Sequence, residues 1–131
     1  IVPDRTSSPG NAHMFVGRSG EEVAARYLCS LGWQVVDRNW RCRWGELDLV
    51  AVEPTDTRPV VVFVEVKSRT GTTFGTPLMA VTPTKLQHMR RACAQWLACH
   101  PRPDCQVRLD AIGLLKRPGS ALVLQHIRGL E

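Results

Sequence analysis

The sequence predicts an α/β sandwich in which the elements run αβββαββ around a central mixed sheet. Three observations carry this expectation. Segment 17–31 and the stretch opened by Thr82 and Pro83 repeat apolar residues at helical spacing. Between them lie two apolar runs of strand length, GELDLVAV and VVVFVEVK, divided by a polar break at 53–59. Two more strand-like segments, 105–113 and 121–127, follow the second helical stretch.

Each element has a local cause. Residues 1–14 are rich in Pro, Ser, Gly and Asn without periodicity, so they read as a disordered tail or cloning remnant. Residues 15–131 then form a single domain, large enough for one core. In the first helix Ser19 and Glu22 stand at capping-box spacing, and Ala24, Tyr27, Leu28 and Leu31 form the apolar stripe. Gly32 follows as a C-terminal stop. Glu22 caps and can pair with Arg26, whereas Glu21 borders the buried side with no structural task. A strand at 33–41 and a basic turn at 42–44 lead into the two apolar runs, whose short connection predicts an antiparallel hairpin or meander. SRTGTTFGT, at 68–76, reads as an exposed, mobile loop. Thr82 as N-cap and Pro83 at the first helical position open the second helix. Its core face is Leu86, Met89, Cys93, Trp96 and Leu97, and Pro101 ends it. A turn at 116–120 joins the last two strands.

Composition narrows the function classes. No apolar run approaches the ~20 residues of a membrane span, and no secretion signal opens the chain. Five cysteines without zinc-site spacing suit a reduced, cytoplasmic protein. A net charge of +5 favours an anionic partner such as nucleic acid.

The chemistry concentrates in 45–67. Alternate residues of a strand share a face, so Glu46 and Asp48 project together, as do Phe63, Glu65 and Lys67. If the two strands are neighbours, three carboxylates and an ammonium converge at one edge of a buried sheet. Such charges need partners or a metal to offset their desolvation. Magnesium, or manganese, takes oxygen ligands and keeps several waters, so Asp48, Glu65 and the Val66 carbonyl form a sufficient set, with Glu46 as a secondary ligand. A cation held there can neutralise a phosphodiester and activate water. Lys67 is placed to orient or deprotonate that water, and Glu21 to reach in from the helix. Glu-x-Lys on its own is ordinarily a surface ion pair; the combination is what points to catalysis.

GRSGEEVAARYL, RNWRCRWGELDLVA, VVFVEVKSRTG, FGTP and VRLDAIG, in that order, resemble the YraN-like family of bacterial proteins. That family is similar to the restriction-endonuclease-like PD-(D/E)XK superfamily, especially its Holliday-junction-resolvase branch. The resemblance implies a restriction-endonuclease-like sandwich with Asp48, Glu65 and Lys67 as its signature residues and Glu21 as its helix acid. Leu47 stands where the signature has proline, and that residue is not a ligand.

A basic surround adds the partner. Arg38, Arg41 and Arg43 flank the turn with Trp40 and Trp44, and Arg69 follows Lys67. Lys85, His88 and Arg91 lie off the core face of the second helix. These residues can frame a groove for a nucleic-acid backbone, DNA ahead of RNA. The reading is a metal-dependent endonuclease for branched or damaged DNA, to whose junctions a homodimer would be suited. Its rivals are a nuclease-fold module that binds without cutting, and an interaction domain whose acids only form ion pairs.

Overall fold

The structure, a computed structural model, describes residues 18–70 and 81–130 of the chain. The elements are α1 (Arg18–Ser30), β1 (Gln34–Cys42), β2 (Gly45–Glu53), β3 (Val60–Thr70), α2 (Pro83–Cys99), β4 (Gln106–Lys116) and β5 (Val123–Arg128). This is the expected order of two helices and five strands. The strands form one sheet in chain order, with β3 and β4 parallel and all other neighbours antiparallel. Short turns suffice for the antiparallel pairs, whereas the parallel pair needs a crossover, and α2 supplies it. No helix among the described residues is long and apolar enough to cross a membrane.

The sheet is covered on both faces, which explains why β3 reads as a nearly continuous apolar run. Val60, Val62 and Val64 pack with Val23, Ala24, Ala25 and Leu28 of α1. Val61 and Phe63 pack with Leu86, Met89, Ala92, Cys93 and Trp96 of α2. Both helix ends follow local rules. Trp33 N–H donates to the Leu28 carbonyl and Gly32 N–H to that of Cys29, a Schellman closure around Gly32 at φ 89°. Thr82 caps α2 by accepting from the Lys85 amide at 3.1 Å.

Several boundaries move from expectation. Helix α1 begins at Arg18, so Ser19 lies within it, and Glu22 is not half of a capping box. The Glu22 carboxylate takes Arg38 of β1 at 2.6 Å and Arg26 at 2.9 Å. Those two guanidiniums hold its pKa below the usual carboxylate range. Leu31 falls beyond the helix and is 39% exposed, so it leaves the apolar stripe. Residues 68–70 are strand rather than loop, because β4 extends to Lys116 and pairs with them through Thr70↔Lys116. The rest of the expected loop, with its FGTP motif, and the expected tail at 1–14 lie outside the described residues.

A buried charge network holds α1, β4 and β5 together. Asp110 is fully buried and receives Arg108 Nε at 2.8 Å, Arg108 Nη2 at 3.0 Å and the Gly129 amide at 3.1 Å. His126 Nε2 lies 2.9 Å from Asp110 Oδ2, the oxygen that also accepts Arg108 Nη2, and His126 Nδ1 meets the Tyr27 hydroxyl at 2.9 Å. Burial pushes the Asp110 pKa up, but these hydrogen bonds from His126, Arg108 and Gly129 prevail and leave it below 3.8. A depressed carboxyl stabilises the fold above its unfolded value and loses that contribution as pH falls through the folded one. Asp110→Ala is therefore expected to cost about 3–5 kcal/mol in urea unfolding at pH 7. The gap to wild type should narrow as the pH drops below the unfolded value of 3.8. A loss of only a few tenths of a kcal/mol would contradict the account.

Candidate metal centre

The centre forms where β2 leaves β3. Their ladder runs from Glu53↔Val60 to Leu49↔Val64. One residue further along β2, Asp48 Oδ2 accepts the Val66 amide at 2.8 Å. A side-chain carboxylate thus takes a donor that the ladder leaves available, and the bond fixes Asp48 beside Glu65. On the other side of β2, Asn39 has φ 52°, and Arg43–Trp44 turn the chain between Cys42 and Gly45. Asparagine tolerates that left-handed backbone better than most residues.

The predicted acids gather around Asp48. Burial first, then the charges of Glu65, Glu21 and Glu46, raise its pKa from 3.8 to about 7, against the opposing Val66 hydrogen bond. Glu21 reaches this field from the first turn of α1. Glu46 is shared with the opposite strand, 3.8 Å from Arg41 Nε.

Two lysines answer these acids. Lys67 is lowered from its ordinary pKa by burial and by the neighbouring Lys85 ammonium, partly offset by Glu65 and Asp48. Lys85 Nζ lies 3.0 Å from Glu65 Oε2, whose side chain is only 12% exposed. Burial alone would lower the Lys85 pKa; the Glu65 carboxylate reverses that and raises it. Lys85 was expected to be a phosphate contact and instead lies inside the acidic cluster. Sequence spacing could not place it there, because the contact joins α2 to β3 through the fold.

The donor set fits a hard divalent cation in kind: two carboxylates at the strand fork, and a raised Asp48 that a cation would relieve. Among the described residues, however, no group of three or more His, Cys, Asp or Glu is arranged to hold a metal. Any ion here relies on Asp48, Glu65, a backbone oxygen and water.

The basic surround divides. Arg38 is spent on Glu22. Arg41 and Arg69 are exposed. Arg43 and Arg91 each place a guanidinium over the Trp44 ring, at 4.8 and 4.6 Å, and the His88 ring lies 6.1 Å away. Trp44 is half-buried against the α2 side of the core, so it serves both packing and a cationic ledge. The Asp110–His126–Tyr27 network was missed in the sequence. Its signal was an aspartate inside an apolar strand with an arginine two residues before it.

The profile described as uncharacterised protein family UPF0102 matches residues 20–114. A UPF0102 protein of Nocardia farcinica is 47% identical over 88% of this chain and 87% of its own length. One from Frankia alni is 46% identical over 87% of this chain and 92% of its own. A third, from Mycobacterium avium, is 41% identical with 88% of each covered.

The raised Asp48 carboxyl has a stability consequence. The folded state holds its proton between the unfolded value of 3.8 and about 7, so metal-free stability falls as pH rises through that window. Asp48→Asn keeps an acceptor for the Val66 amide and removes the charge. It is expected to exceed wild type by roughly 2 kcal/mol in denaturant unfolding at pH 8, after allowance for solvent screening. The two proteins should converge below the unfolded value of 3.8. An Asp48→Asn protein less stable than wild type at pH 8 would show that the carboxylate is not strained.

Proposed function

The chain belongs to uncharacterised protein family UPF0102, and on that premise we propose that it is a metal-dependent endonuclease acting on DNA. The reading rests on one observation above all. Asp48 and Glu65 meet where two strands part, with Lys67 in the same electrostatic field and a cationic ledge around Trp44. The order of α1, three antiparallel strands, α2 and a parallel β4 is similar to the restriction-endonuclease-like arrangement, and this supports the same reading.

Asp48, Glu65 and the Val66 carbonyl would hold magnesium or manganese, with Glu46 as an outer acid. When bound, such an ion polarises the phosphate and acidifies water. Lys67, its pKa brought down by burial, then orients that water or accepts its proton. Glu21 helps to hold the water from α1. Arg43, Arg91, His88, Arg41 and Arg69 grip phosphates without reading bases, so selectivity follows shape, as in branched or damaged DNA. A homodimer would present two such sites to a junction.

The test is cleavage of single-stranded, duplex, flap and four-way-junction DNA with magnesium or manganese. Glu65→Ala and Lys67→Ala are expected to lower the rate by about 100-fold or more. No cleavage of any substrate, or equal cleavage by Glu65→Ala, would sink the reading.

A second reading is a nuclease-fold module that binds DNA without cutting it. It draws support from the lack of a three-ligand group among the described residues and from the tie of Glu65 to Lys85. It predicts binding that survives Asp48→Ala. In either reading Arg43→Ala and Arg91→Ala should each reduce the slope of log affinity against log salt by about 1. Unchanged slopes in filter-binding titrations would remove the ledge from the interface.

A further inference from the structure

Lysine is an unfavourable choice for the first turn of α2. Its charge opposes the positive end of the helix dipole. The Lys85 backbone amide is already satisfied by Thr82, so the side chain contributes nothing to the cap. What it does contribute is a cation, 3.0 Å from Glu65 Oε2. Glu65 is mostly covered, so there are few directions from which a second cation can reach its carboxylate. Lys67 lies in the same field, and its ammonium and that of Lys85 repel each other, so a dication approaching both would be repelled until one of them moves.

We propose that Lys85 is a tethered competitor for the divalent-cation position on Glu65, so that ion binding and the Lys85–Glu65 pair exclude each other. The inference rests on the metal reading of the same site. In the pair as it stands, Glu65 is held from α2 by an ammonium in the position an ion would take. Lys85 lies one turn before His88 and two before Arg91 on α2. Displacement therefore frees a positive charge on the helix that carries the Trp44 ledge, where a phosphate would approach. Loading the ion and completing the cationic surface become a single event. A purely structural pair, pinning the start of α2 to β3, would affect stability and leave ion affinity unchanged.

The experiment titrates manganese into wild type, Lys85→Met, Lys85→Arg and Glu65→Gln, followed by calorimetry and by the spin-resonance signal of the free ion. Lys85→Met should bind manganese at least about fivefold more tightly than wild type, the worth of one partly exposed ion pair. Lys85→Arg should stay near wild type, and Glu65→Gln should lose the site. Equal or weaker binding by Lys85→Met, with Glu65-dependent binding intact in wild type, overturns the competitor alone. No Glu65-dependent binding in any protein overturns the metal reading with it. A second measurement needs no substitution. The chain has three lysines, Lys67, Lys85 and Lys116, so amine labelling of wild type is read peptide by peptide. Manganese should raise Lys85 labelling and leave Lys116 unchanged; constant Lys85 labelling overturns the proposal even if Lys85→Met fails to fold.

Discussion

The hydrogen bond from the Val66 amide to Asp48 joins the backbone architecture to the chemistry of this protein. The β2–β3 ladder ends at Leu49↔Val64, and a peptide donor beyond that point needs an acceptor. Asp48 provides it from a side chain, which lets the strands part without an orphaned amide. The same bond fixes a carboxylate beside Glu65 and within the field of Glu21 and Glu46. One local solution to a backbone problem thereby concentrates negative charge at the fork.

The rest of the fold supports that concentration from both faces. Helix α1 carries Glu21 and is tied to the sheet by Tyr27, His126 and Asp110. Asp110 at its centre is fully buried, so the network holds the helix by directional bonds as well as by apolar packing. Helix α2 covers the other face and brings Lys85 to Glu65 and Arg91 to Trp44. Two elements that make the core therefore also deliver the charges around the site.

Charge compensation gives the two surfaces a common logic. At the fork, acids outnumber nearby ammoniums, and Asp48 holds its proton up to about pH 7. Beside it, guanidiniums lie over Trp44 with their charge facing solvent. An anionic polymer lying on the ledge would bring phosphates toward acids that accept them only through a cation. The family match, over residues 20–114, spans Glu21, the strand fork and α2 together.

The sequence by itself determined the element order, the Thr82 cap and the pairing of Glu22 with Arg26, because each depends on local periodicity or on residues within a turn or two of one another. It also singled out Asp48, Glu65 and Lys67, since charges at regular positions in apolar strands must be compensated wherever the strands go. It could not see that Arg38 answers Glu22, that Lys85 answers Glu65, or that Asp110 is enclosed by Arg108, His126 and Gly129. The pairs Arg38–Glu22 and Lys85–Glu65 span β1–α1 and α2–β3, and His126 and Gly129 reach Asp110 from the far end of the chain. Nor could spacing foretell that β3 continues to Thr70, because its last pairs exist only once β4 lies alongside. Local propensity and periodicity decide what each segment becomes. Which charge meets which is decided only when the helices settle on opposite faces of the sheet.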